Sequence, residues 1–188
     1  MGGVVAPPIE QYLPPPGSTL GRMRAPFSTI LFDLDGTIID SAPGIMATLA
    51  YTFETMGRQG PSPAELLQYV GPPILDSFRD LAGLDLGEAA EALAIYRPLY
   101  LEIGGLDSTV FPGVPEVLGA VHAAGIPLSL ATSKPETPAM LMLSHFGLLG
   151  YFDVIAGASD DEVRSSKEDV VAEALLRLTA IGADLARP

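Results

Sequence analysis

The 188-residue chain contains no cysteine, which excludes disulfides, thiolate zinc sites and a thiol nucleophile. Basic residues are scarce too: 10 Lys and Arg stand against 23 Asp and Glu, leaving a net charge of −13. A surface that neutralises nucleic-acid phosphates needs the opposite balance, so nucleic acid is not an expected partner. No apolar run approaches the roughly 18 residues of a membrane-crossing helix, and the N-terminal stretch lacks the apolar centre of a signal peptide. These absences suit a cytoplasmic protein. What is present, 48% hydrophobic and 18% charged residues, describes one or at most two globular domains. In so acidic a chain, a lysine close to paired carboxylates is informative.

The organising stretch is Phe27 to Asp40, FSTILFDLDGTIID. Thr29 to Phe32 is a short apolar, β-branched and aromatic run that reads as a strand buried on both faces. It stops at Asp33-Leu34-Asp35-Gly36-Thr37. Two carboxylates two residues apart point the same way on extended backbone. Gly36 then allows a sharp turn, and Thr37 adds a hydroxyl beside the acids. Unpaired buried charge is too costly for an ordinary strand end, so the pair implies something cationic nearby.

The rest of the chain divides around this strand. Residues 1–26 hold six prolines without helical or strand period and read as a disordered or polyproline-like arm; Met23, close to the strand, is a second candidate start. Residues 43–105 are expected to be all-helical, with helices opening at Pro43, Pro63 and Ile74 and a longer one over Gly87–Ile103, kinked at Pro98. From residue 106 an α/β alternation returns: helix Val114–Ala124, strand Leu128–Ala131, a helix from Thr137 or Pro138 to Phe146, strand Tyr151–Ala156 and helix Glu168–Ile181. Such alternation predicts a parallel, Rossmann-like α/β sheet with its site beyond the strand ends. The expected domains are a core of 27–42 and 106–188 with a helical cap of 43–105 inserted.

FDLDGT after a hydrophobic strand resembles the first motif of the haloacid dehalogenase superfamily, in its phosphatase branch. The resemblance implies that Asp33 is the nucleophile attacking phosphorus and that Asp35 is the acid/base serving the leaving group. Halide leaves without a proton and an alkoxide does not, so an acid at Asp35 argues for phosphoester chemistry. The helical insertion resembles the cap of the phosphoglycolate phosphatase-like subfamily, and Gly157–Val170 looks closer to its nucleotidase-like members. Thr132, after a hydrophobic strand, matches the second motif, and Lys167, opening the last helix, matches the third; Arg164 is the second choice for that cation. A lysine at a helix N-terminus opposes the macrodipole, which itself points to an anionic partner. Gly36, Thr37, Ser133 and Lys134 are candidate substrate contacts.

The electrostatics asks for every part of this set. Each like-charge pair between a phosphate dianion and Asp33 costs about 4 kcal/mol at 4 Å and an effective dielectric of 20. Lys167 offsets part of that, and Mg²⁺ is expected to offset the rest, held by the Asp33 carboxylate and, by the family likeness, the Asp35 backbone carbonyl. As an acid, Asp35 would need its pKa raised from about 3.9 toward 6 or 7. The family's fourth motif, an acidic loop after one more strand, has no counterpart before Pro188. The expectation is therefore a sequence lacking its C-terminal strands, which would leave the first strand at an exposed apolar edge. Asp160 and Asp161 read as a solvated loop, and His122 and His145 as structural. The expected activity is hydrolysis of a small phosphorylated metabolite, phosphoglycolate or a nucleoside monophosphate. A phosphomutase of the same fold, or a catalytically silent metabolite-binding fragment, is the alternative. Substrate choice is expected to lie with cap residues such as Arg79, Tyr96 and Arg97.

Overall fold

The computed structural model describes residues 27–161 and 163–186, so the proline-rich arm lies outside the described residues. Three parallel strands form the sheet, β1 (Ile30–Phe32), β4 (Leu128–Pro135) and β5 (Val154–Ala158), in the order β1-β4-β5. A two-stranded antiparallel ribbon, β2 (Ile39–Asp40) with β3 (Thr109–Val110), brackets the helical insertion. No residue pattern signals this ribbon, because two-residue strands are too short to show a period.

Alternation along β4 separates two apolar layers. Leu128 and Leu130 face α5 (Val114–Ala123) and α6 (Glu136–His145), within a cluster containing Leu118, Met142 and Leu143, all fully buried. Ala131 joins Val154 and Ala156 under α7 (Lys167–Ala180), against Ala174 and Leu178. β1 differs from the expectation of a strand buried on both faces: Ile30, Leu31 and Phe32 are each half-buried. The reason is its place at the sheet edge, where β4 is its one neighbour among the described residues.

The insertion holds α1 (Ala42–Thr55), α2 (Pro63–Leu66), α3 (Ile74–Asp80) and α4 (Leu86–Leu99). A chain of aromatic contacts, Phe53–Phe78–Tyr96–Tyr100, runs through its centre with ring centroids 5.3–6.1 Å apart. The long helix predicted to Ile103 ends as an α-helix at Leu99. Pro98 cannot donate a backbone hydrogen bond and crowds the turn before it, and the chain continues as a π-turn over Tyr100–Gly104. Gly105 N–H closes that turn on Tyr100 O at 2.6 Å.

This π-turn crosses α1 at two glycines. A Cβ on Gly44 would lie 1.8 Å from Gly104 O, and one on Gly104 would lie 2.2 Å from Thr48 Oγ1. The end of the insertion is therefore fastened to its own first helix by backbone contact that only glycine allows. Gly44→Ala is expected to lower the unfolding free energy by roughly 1–3 kcal/mol through overpacking. Urea titration would measure it, and an unchanged midpoint would show that the two segments are not so close.

Candidate active site

The register places Phe32 beside Leu130, so Asp33, just past the end of β1, comes level with the stretch of β4 that carries Thr132. Gly36, at φ +74°, turns the chain back immediately, and its N–H donates to Ile39 O at 2.9 Å. Leu34, between the two acids, is fully buried and anchors them. The N–H of Thr37 donates to Leu34 O at 3.2 Å. Gly36 and Thr37 are exposed, with their amides committed to the turn; they shape it.

Each aspartate has its own ammonium, supplied by a different element. Lys167 Nζ lies 2.7 Å from Asp33 Oδ2 and also donates to Ala131 O at 3.3 Å. This contact accounts for a lysine at the start of α7, since Asp33 supplies the anion that offsets the helix dipole. Asp33 Oδ1 accepts from Leu34 N–H at 2.9 Å. Ser166 caps α7 by accepting from Asp169 N–H at 3.1 Å.

Lys134 Nζ donates to both oxygens of Asp35, at 3.1 and 3.0 Å. Both side chains are buried, 6% and 8% exposed respectively. Tyr100 covers the ammonium, its ring centroid 4.6 Å away, and Ser41 Oγ donates to Asp35 Oδ1 at 2.5 Å. Burial alone would pull the Lys134 ammonium down, but the Asp35 carboxylate, helped by Tyr100, more than reverses this and holds it well above the ordinary lysine value. Burial likewise pushes the Tyr100 phenol up. Ser41 is the N-cap residue of α1, yet its hydroxyl serves Asp35 and makes no cap hydrogen bond.

Lys134 reaches Asp35 because β4 does not stop where its apolar run stops. The predicted strand Leu128–Ala131 continues to Pro135, and α6 begins at Glu136. Pairing with β5 jumps from Ala131↔Ala156 to Pro135↔Ala158, so Thr132, Ser133 and Lys134 together oppose Gly157. A bulge of this kind redirects side chains, and here it lies across all three. Gly157 is what permits it: a Cβ there would sit 2.6 Å from Lys134 O and 2.9 Å from Glu136 N. Thr132 Oγ1 accepts from Lys134 N–H at 3.2 Å, which leaves the hydroxyl proton to be donated elsewhere. Ser133 is buried and lines a cavity beside Asp35.

The other candidates fall outside this cluster. Arg164 pairs with Glu136 at 2.8 Å and donates to Gly157 O at 3.1 Å, within a network that includes Arg177 and Glu173. It braces β5 against α6 and α7, which makes it a poor alternative to Lys167. His122 and His145 are exposed beside Tyr151 and Phe146. Asp160 and Asp161 are exposed, but Asp160 O accepts from Arg97 Nη2 at 3.3 Å, joining the insertion to the core.

The donors at the strand end are hard oxygens, the Asp33 carboxylate and the Asp35 carbonyl, which fit a magnesium ion that keeps most of its shell for phosphate and water. Among the described residues no cluster of three or more acidic or histidine ligands forms. Among the described residues, no helix is long and apolar enough to cross a membrane.

Comparison with known proteins gives the same picture. A family model described as haloacid dehalogenase-like hydrolase matches residues 30–184. The chain is 41% identical over 150 residues to a Mycobacterium tuberculosis protein named tyrosine-protein kinase PtkA, covering 79% of this chain and 50% of that one. It is 36% identical over 145 residues to a Pseudomonas aeruginosa 5'-nucleotidase, covering 77% and 66%. The chain thus spans about half the length of the first relative and two thirds of the second. A crystal structure of a predicted phosphatase from Clostridium acetobutylicum superposes with a TM-score of 0.78 at 36% identity, covering 81% of this chain and 71% of that one.

The buried pair generates a stability prediction. Lys134→Met leaves a buried carboxylate without its cation and is expected to cost about 3–5 kcal/mol. Because the folded-state value of Lys134 is raised, its contribution is complete below the unfolded lysine value of about 10.4 and fades only as pH climbs above it. Denaturant unfolding of both proteins should show a constant gap from pH 7 to 10 that narrows beyond. A gap that closes below pH 9 would contradict the pairing.

Proposed function

The chain belongs to the haloacid dehalogenase-like hydrolases, and from that membership we propose that it is a magnesium-dependent phosphatase of a small phosphomonoester. The observation that carries the reading is the Asp33–Lys167 contact at the sheet end, with Asp35 two residues on and Thr132 beside it. Asp33 is the group to attack phosphorus, because it is the more exposed acid, with 32% of its side chain open. Asp35, buried behind the turn, is the acid/base.

In this reading an Asp33 oxygen forms a bond to phosphorus while the ester P–O bond breaks, and Asp35 delivers a proton to the departing alkoxide. Water then attacks the aspartyl-phosphate, its proton passes to Asp35, and orthophosphate leaves with Asp33 restored. Lys167 and the Thr132 hydroxyl meet the negative charge on the phosphoryl oxygens. Asp35 has to carry a proton, in place of its Lys134 contact, before the first step, and the attacking water returns that proton in the second. The anionic phosphate, bound against Ser133 and Lys134, is the group placed to take over that ammonium. Magnesium, held by the Asp33 carboxylate and the Asp35 carbonyl, supplies further charge neutralisation when bound.

The identity to a protein named tyrosine-protein kinase favours a second reading, in which a hydroxyl group replaces water as acceptor. Both readings share the aspartyl-phosphate and differ only in where the phosphoryl group goes.

Phosphate release from a panel of monoesters, with and without Mg²⁺, tests the proposal. Asp33→Asn should abolish release, and Asp35→Asn should reduce it by about 10²–10⁴-fold, the usual contribution of a positioned acid/base. Hydroxylamine should trap the acyl-phosphate in the parent chain and not in Asp33→Asn. Full activity in Asp33→Asn would sink the mechanism. Ester consumption that outruns phosphate release would favour the hydroxyl acceptor.

A further inference from the structure

A cavity of about 280 Å³ opens between the inserted helices and the sheet, bounded on the core side by Asp35, Ser133 and Lys134. It adjoins the acid/base, so under the phosphatase reading it receives the alcohol half of the ester. Its size falls just below the usual range for ligand sites, about 300–1,000 Å³, and suits a small molecule. The walls are predominantly apolar and aromatic: Tyr69, Tyr96 and Tyr100 with Ile45, Ile74 and Leu101. Burial pushes the phenols of Tyr69 and Tyr96 up, so both remain neutral hydrogen-bonding groups at any physiological pH.

Charge decides between the substrate classes. Among the described residues, four charged side chains line the cavity: Lys134 and Arg97 are cations, Asp35 and Asp160 anions. Lys134 is matched by Asp35 and, once Asp35 takes its proton, by the phosphate that takes over the ammonium, while Arg97 reaches across to the backbone of Asp160. The lining therefore carries no surplus positive charge. A leaving group with a carboxylate of its own would bring a buried anion into neutral, apolar surroundings, which is strongly unfavourable.

Resting on the phosphatase reading of this site, we infer that the esterified group is uncharged with an aromatic body, as in a nucleoside or an aryl alcohol. Carboxylate-bearing alcohols such as glycolate are rejected. Phosphoglycolate, one of the two classes open from sequence, is thereby disfavoured in this chain.

The test compares phenyl phosphate, adenosine 5'-monophosphate and phosphoglycolate on the full chain with Mg²⁺. Either or both of the first two should exceed phosphoglycolate in kcat/KM by at least about 100-fold, and their ratio tells aryl alcohol from nucleoside. Leu101→Arg adds a cation to a half-open wall position and should narrow that preference at least about 10-fold while the protein stays folded. Binding of the product alcohols gives a readout independent of turnover. Phenol or adenosine at millimolar concentration should shift the Tyr69 and Leu101 resonances, and glycolate should not. Release from none of the esters, together with binding of adenosine or phenol, would overturn the phosphatase reading and keep the cavity assignment. Equal or better hydrolysis of phosphoglycolate, or no shift from either aromatic alcohol, would overturn the inference.

Discussion

Two aspartates at one strand end must each find a positive charge, and the site follows from how the fold supplies two. The acids come from β1 and the turn after it, one ammonium from the neighbouring strand and the other from the first residue of α7. The two pairs are unequal. Asp33–Lys167 is half-open, with the lysine side chain 50% exposed, and an ion pair so placed contributes little stability. It can therefore rearrange around an incoming anion at small cost. Asp35–Lys134 is buried, covered by Tyr100 and tied to Ser41, so its disruption is expensive. One acid is accessible to an incoming group, and the other is held in place because it is enclosed.

The enclosure joins the two layers of the molecule. Tyr100 comes from the insertion, on the π-turn that follows Pro98, and that turn is pressed against α1 at Gly44 and Gly104. Lys134 comes from the core, out of a bulge that Gly157 permits. A rearrangement of the helices would thus be felt at Asp35 through Tyr100 and Lys134. Behind the bulge, the Glu136–Arg164–Glu173–Arg177 network fixes α6, α7 and β5 together, and with them the origin of Lys167.

Local chemistry written in consecutive residues was legible without coordinates. Asp33 and Asp35 form a short motif after an apolar run, and Lys167 betrayed itself by opposing a helix dipole. Lys134 was harder to read. As an exposed loop lysine it would be unremarkable, and its burial comes from β4 running four residues past its apolar stretch, through polar residues that no hydrophobic period marks as strand. Arg164 looked like a spare cation; it is directed by Glu136, 28 residues away in sequence.

By itself the sequence determined the acid pair, the alternation of strands and helices that makes a parallel sheet, and the helical character of the insertion. Those properties depend on residues within a few positions of one another. The tertiary structure alone decided which lysine serves which aspartate, how the bulge turns Ser133 and Lys134 toward the insertion, and that the cavity they border is charge-neutral. Each of these joins residues dozens of positions apart, where packing and long-range register, rather than local preference, set the distance.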